Sequence, residues 1–432
     1  MWDYLSFIIK HLRERLWIKP LIVCVLSIGA VLLANLIDLT ELGRSLPEIT
    51  KESTEALLKI MASSMLVMAT FAVASMVAAY GAASRSATPR SFPLIIADDL
   101  SQNALSAFIG AFIYSVVALV ALMNGFYGGK GSLFILFSLT IIALTVIIIT
   151  FIRWVDNIAR LGRVEHSIDK VEATTAAAIL MRQSAPRLGG VAVEGPPDGG
   201  QAVFGNAIGY VQRVDTKKLQ ARAVELQLKI VVAALPGTFC TPTRPVAWVI
   251  QQGPGKVSDE DAGIIADTFV IGRSRVFEQD PRFGLLVLSE IASRALSPAV
   301  NDPGTAIIVT GTFVRLFVLW DECDKLEGST KVLFDRIAVP ELSMVDMFDD
   351  AFTAIARDGA AVVEVVVRLL KALEALAVID NRALRDNALR HARLLLVRAE
   401  LSLQAPDDLR RVREAAGFAV QPSVKWISRT SK

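Results

Sequence analysis

Four apolar runs in the first third of this chain constrain its fold more than any other feature. They are Leu21–Ile37, Leu57–Ala83, Ala104–Met123 and Leu133–Ile152. A helix needs about 20 apolar residues to cross the hydrocarbon core of a bilayer. The first run is short but extends through Trp17 and Ile18. Of 432 residues, 53% are hydrophobic and 20% charged, against about 25% charged in soluble proteins. Most of the charge follows Arg153. The expected fold is an α-helical polytopic membrane protein with four transmembrane helices and a cytosolic α+β region, a small β-rich barrel or sandwich domain plus a helical bundle.

Basic residues set the orientation. Lys10, Arg13, Arg15 and Lys19 precede the first run, Arg85 and Arg90 separate the second from the third, and Arg153, Arg160 and Arg163 follow the fourth. On the other side the loop Asp38–Glu55 is net acidic and Lys130 stands alone. Both termini are therefore expected in the cytoplasm, with the chain in a bacterial inner (plasma) membrane. Residues 1–20 read as an amphipathic helix in the inner interface, from the helical spacing of Leu5, Ile8, Ile9, Leu12 and Leu16; a helix docked on the cytosolic domain is the other reading. Residues 21–154 form the four-helix transmembrane domain. Residues 155–185 form a helical stalk with a seam at Leu161, Val164, Ile168, Val171, Thr175 and Ala178. The Gly- and Pro-rich stretch PRLGGVAVEGPPDGG opens a small β-rich domain at 187–255, and 256–432 read as a cytosolic helical domain. Its run Thr305–Trp320 is strongly apolar, but short and flanked by polar residues, and reads as a soluble helix.

Three groups of residues are candidates for function. The second span is rich in small residues, which let helices approach closely in lipid. As a pore it would place Ser63, Thr70, Ala74 and Ser75 along the path, with Met65 and Met68 as a hydrophobic constriction; as a packing helix it would put the same residues against its neighbours. The second group is the inner loop, where Arg85 and Arg90 stand opposite Asp98 and Asp99, as a charged mouth or as ordinary flanking charge meeting lipid phosphates. The third is SRALSPAVNDPGTA, with two helix starts in six residues, at Ser297-Pro298 and Asp302-Pro303. Arg273, Arg275, Arg282 and Arg294 with Asn301 and Asp302 could form an anion-binding corner there. If they pair instead with Glu278, Asp280, Glu290 and Asp302, they form a structural elbow.

Several classes are disfavoured. No span carries a charge near its centre, which argues against an ion-coupled carrier. A net charge of +2 without a basic stripe argues against nucleic-acid binding. His11, His166 and His391 are isolated, Cys24, Cys240 and Cys323 lie far apart, and no nucleophile elbow, phosphate loop or metal spacing occurs. The expectation is a protein that is not an enzyme and uses no cofactor or metal.

The stretches TFAVASMVAAYGAASRSATPR, LIIADDLSQNALSAFIGAFIYSVVAL, GYVQRVD with its downstream PGTF, and above all DPRFGLLVLSEIASRALSPAVNDPGTA resemble bacterial membrane proteins grouped as domain of unknown function 2254. The resemblance runs over nearly the whole chain and implies a polytopic inner-membrane protein without implying an activity. PGTFCTPTRPV is similar to a family stretch of the form PGDFVxxGxPL, with Thr238 and Thr243 where an acid and a glycine are usual. That difference argues against a ligand role for this turn. Similar stretches occur in lipoyl-like barrels, but the turn carries no Lys to modify.

Two functions follow. One is a homo-oligomeric channel with a cytosolic vestibule or gate. The other is a membrane-anchored scaffold or sensor whose cytosolic domain binds a partner protein or a small anion. The partners expected are the lipid bilayer, further copies of the chain and an unidentified cytosolic protein or anion.

Overall fold

A computed structural model describes residues 47–86, 88–96, 99–127, 129–161, 163–193, 199–251, 257–326 and 332–420, with Leu21, Ile22, Val25 and Gly29. The expected interfacial helix and nearly all of the first span lie outside these residues. The chain divides into two compact units, residues 1–167 and 168–432.

The first unit contains α1 (Lys51–Ser86), the short α2 (Phe92–Ile96), α3 (Asp99–Met123) and α4 (Lys130–Leu161). α1 packs against both α3 and α4. The contact stripe of α1 is Thr54, Leu58, Met61, Met65, Ala72 and Met76, all buried at helical spacing. On α3 it meets Phe108, Ala111, Tyr114 and Ala118, and on α4 Leu136, Ile147 and Trp154. Two polar groups inside are bonded to one another: the Tyr114 hydroxyl lies 3.0 Å from Thr140 Oγ1, which donates to Leu136 O at 2.7 Å. An apolar medium offers no water to do this instead. The other face of α4, with Ile142, Val146, Ile149 and Ile152, is exposed, as suits a surface meant for lipid.

The second unit runs α5 (Val164–Ser184, whose first turn belongs to the first unit), β1 (Gly190–Ala192), β2 (Gln201–Phe204), β3 (Gly209–Val214), α6 (Thr216–Glu225), β4 (Leu228–Val232), β5 (Phe239–Cys240) and β6 (Pro245–Gln251). It continues with α7 (Asp259–Ala266), β7 (Phe269–Gly272), α8 (Pro281–Ala295), α9 (Pro303–Leu326) and β8 (Phe334–Val339). It ends with α10 (Met344–Asp358), α11 (Val363–Ala377), α12 (Arg382–Ser402), α13 (Pro406–Ala415) and α14 (Gly417–Val420).

Its strands form two sheets, a mixed one ordered β1-β8-β4-β6-β2 and an antiparallel one ordered β5-β3-β7. Neither closes on itself among the described residues, so of the expected barrel or sandwich the barrel is not shown. The reason lies in β8: this strand arrives from beyond two long helices and inserts parallel to both β1 and β4. A strand recruited over more than 80 residues cannot be read from the local alternation that suggested a self-contained 60-residue domain. Val203, Val211, Leu219, Ile230, Val246, Ile265 and Ile337 fill the core beside the sheets.

Four helices among the described residues are long and apolar enough to cross a membrane: Lys51–Ala82, Leu100–Met123, Lys130–Ile158 and Pro303–Glu322. The last lies within α9. Its surroundings are those of a core helix. Ala306, Val309, Thr310, Phe313, Leu316 and Phe317 are all buried, and α8 and α11 pack on it. Arg315 forks onto Glu172 of α5 with two bonds of 2.6 Å. A helix that is apolar nearly all round needs walls on most sides, and amphipathic neighbours supply them here.

Candidate functional site

A cavity of about 360 Å³ opens in the second unit where four segments meet. The first is the β4–β5 connection, Ala233 to Phe239, with Pro236 and Gly237 at its turn. Gly237 has φ +92°, and a Cβ there would run into the Asp280 carboxylate. The turn is tied down by Gly237 N donating to Val211 O at 2.8 Å and Val211 N donating to Thr238 O at 2.9 Å. The second contributor is Arg244, just before β6. The third is the start of α8 with Arg275 ahead of it. The fourth is the β8–α10 connection, Pro340 to Ser343, with Asp346 one turn on.

Helix capping sets the charged groups in place. Asp280 caps α8, its Oδ1 accepting from Phe283 N at 3.1 Å, with Pro281 at the first helical position. The same carboxylate, 2% exposed, holds Arg275 through Nε at 2.8 Å and Nη2 at 2.9 Å. The Arg275 guanidinium also lies 5.2 Å from the centre of the Phe283 ring. Arg282, in the first turn of α8, reaches α10 and donates to Asp350 and Asp346, at 2.7 Å each. Ser343 caps α10, accepting from Asp346 N at 3.2 Å. Glu341, also at the rim, is taken by Arg187. Arg244 has no ion-pair partner among the described residues, so it is the lining charge left uncommitted.

Behind this wall sits Arg182 of α5, 5% exposed, with both terminal nitrogens lacking a hydrogen-bond partner among the described residues. Burial pushes its pKa down to about 10, partly countered by the charge of Asp280. It therefore remains a cation at neutral pH. Burial also raises the Asp350 carboxyl above its ordinary value, against the pull of Arg282. The region is thus rich in guanidinium groups held in fixed poses by carboxylates, an arrangement suited to oxyanions.

The structure separates the residues singled out in the sequence. Arg275 and Arg282 line the cavity, whereas Arg273 and Arg294 are exposed elsewhere on the surface. Asn301 takes a left-handed backbone, φ 50°. Asp302 is spent capping α9, accepting from Thr305 N at 3.1 Å and Thr305 Oγ1 at 2.6 Å. The SPAVNDPG corner joins α8 to α9, and of the two helix starts expected there only Asp302-Pro303 opens a helix, while residues 298–300 form a turn. On α1, Met65 is buried and Met68 partly buried in the helix-packing core, so these side chains do not form an outward constriction. Ser63, Thr70 and Ala74 are exposed and Ser75 is half-buried. The Ser63 and Thr70 hydroxyls donate to Ile60 O and Leu66 O of their own helix. Arg90 is exposed, while Asp98 and the side chains of Arg85 and Asp99 lie outside the described residues.

Sequence reasoning missed Arg244, Arg182 and the β8–α10 rim, and discounted the PGTF turn that frames the cavity. Ser343 is legible as a helix start, but nothing local places it across from Arg282, 61 positions earlier.

A family model described as predicted membrane protein (DUF2254) matches residues 13–375. Uncharacterised proteins of Mycobacterium tuberculosis (strain H37Rv) and Mycobacterium bovis are each 24% identical to the chain over 318 residues, covering 70% of it and 60% of their own length. The match thus spans about three fifths of those relatives. No solved structure matches the chain.

Proposed function

The chain belongs to the DUF2254 family of predicted membrane proteins, and from that premise we propose that it is a membrane-anchored sensor or scaffold whose second unit binds a small anionic ligand. One observation carries the reading: Arg244, Arg275 and Arg282 converge on a single cavity, two of them already fixed by carboxylates. Fixed guanidinium groups lose little freedom when an oxyanion arrives. The cavity is meant to face the cytoplasm of a bacterial inner membrane, by the distribution of basic residues around the spans. Binding to the folded state alone raises stability by about 2.7 kcal/mol at a hundredfold excess over Kd. Thermal unfolding of the detergent-solubilised chain should shift upward with phosphate, sulfate or organic phosphates, and Arg244→Gln should abolish the shift. A panel of anions that leaves the midpoint unmoved refutes the reading.

The exposed hydroxyl and small-residue face of α1 favours a second reading, a homo-oligomeric pore lined by Ser63, Thr70 and Ala74. Conductance in planar bilayers that Thr70→Leu blocks would support it. Equal silence from both proteins would dismiss it.

A further inference from the structure

The cavity discriminates among anions more finely than its charge alone requires. We infer that it takes an organic phosphate monoester, a phosphate carrying an apolar or aromatic body, and this rests on the anion-binding reading above. Two features of the walls point there.

The first is how donors are distributed. Arg275 spends Nε and Nη2 on Asp280, and Arg282 spends Nε and Nη1 on Asp350 and Asp346. Each therefore keeps one terminal nitrogen outside these bonds, while the whole Arg244 fork is uncommitted among the described residues. The start of α10 also lines the cavity through Ser343, which caps the helix, and Asp346, whose carboxylate is paired with Arg282. A carboxylate has two oxygens and is satisfied by one guanidinium fork. Single nitrogens of Arg275 and Arg282 together with the Arg244 fork suit a tetrahedral group with three free oxygens.

The second is what the rest of the wall is made of. Leu235, Pro236, Phe239, Pro340 and Leu342 add apolar lining to the charged groups. Phe239 is 44% exposed, and its ring is held edge-on to Tyr210 with centroids 5.0 Å apart. A cavity of about 360 Å³ equals the liquid volume of about a dozen waters. Inorganic phosphate would leave most of it filled with water against apolar side chains. A phosphate ester with a ring or chain attached would meet both kinds of lining, with the aromatic face of Phe239 against its body.

Calorimetric titration of the full chain in detergent tests this with five probes: inorganic phosphate, ribose 5-phosphate, adenosine 5′-monophosphate, adenosine and a short-chain phosphatidic acid. Expected is about tenfold tighter binding of the nucleotide or of the phosphatidic acid than of inorganic phosphate or adenosine. Whichever of the two esters is tighter identifies a soluble or a lipid source. Phe239→Ala should cost the ester about tenfold and leave inorganic phosphate unchanged, whereas Arg244→Gln should weaken both. Both residues are exposed or half-exposed, and an unchanged thermal midpoint without ligand confirms folding. Inorganic phosphate binding as tightly as the esters overturns the inference and spares the anion site. Adenosine binding as tightly as its monophosphate overturns the inference as well, because the phosphate would then contribute nothing. No binding by any probe overturns both.

Discussion

At the residue scale, Asp280 is the position on which most depends. It caps α8, holds Arg275, lies beside the buried Arg182 and fills the space that the missing Cβ of Gly237 leaves open. Removing one partner from a buried ion pair strands the other charge, at about 3–5 kcal/mol. Asp280→Ala should therefore lower unfolding free energy in denaturant by that amount, and Arg275→Met by less, because it leaves the cap. His391 offers a different prediction. It is 3% exposed, with the rings of Phe348 and Phe352 within 6 Å and Asp349, Arg390 and Arg398 around it. Burial, seconded by Arg390, brings its pKa down from 6.5 to about 4 despite Asp349. The unfolded chain therefore binds a proton more readily than the folded one. The neutral form's contribution is complete above pH 6.5 and is lost as pH falls toward about 4, on the order of 3 kcal/mol in all. Denaturant midpoints across that window should fall for the native chain and fall less for His391→Gln.

At the scale of elements, the close approach of α5 and α8 rests on Gly284. A Cβ there would overlap the Thr175 side chain, itself buried and bonded to Val171 O at 2.6 Å. Gly284→Ala should destabilise the second unit by about 1–3 kcal/mol despite better helix propensity. Thr175→Ala, which removes the hydroxyl and methyl but not Cβ, should recover part of this in the double mutant, as a shift in the unfolding midpoint. Such elements also show what the sequence could reveal. The long apolar helices α1, α3 and α4 are legible because each holds about twenty mostly apolar residues in a row. The start of α9 is legible from Asp302-Pro303, where a capping side chain precedes a ring that needs no donor, whereas Ser297-Pro298, with the same pattern, opens only a turn. Which face of α1 turns inward was not legible, since Met65 and Ser63 are equally acceptable to lipid and to protein. The cavity was harder still, because its walls come from four segments between Ala233 and Asp346 whose meeting depends on the parallel insertion of β8. Pairing over that distance leaves no periodic trace.

At the scale of the whole molecule, apolar character alone does not separate the two units, because α9 also holds a stretch long and apolar enough to cross a membrane, although it is the shortest and least hydropathic of the four. Its buried Thr305, Thr310 and Thr312 and its tie to Glu172 show a helix packed within the second unit. A fragment comprising residues 168–420 should accordingly be recovered from the soluble fraction without detergent, with cooperative thermal unfolding. If it partitions into membranes, α9 is a span after all. The placement of α9 in the chain has a consequence for biosynthesis. The ribosome delivers α5 and α8 first and α11 only some 40 residues later, so for that interval the segment is a greasy rod with one side bare. Protein-conducting channels sort emerging segments by the same oiliness. Whether this segment stays in water thus turns on how quickly its earlier-made neighbours close over it, a race that the other apolar helices of this chain are built to lose.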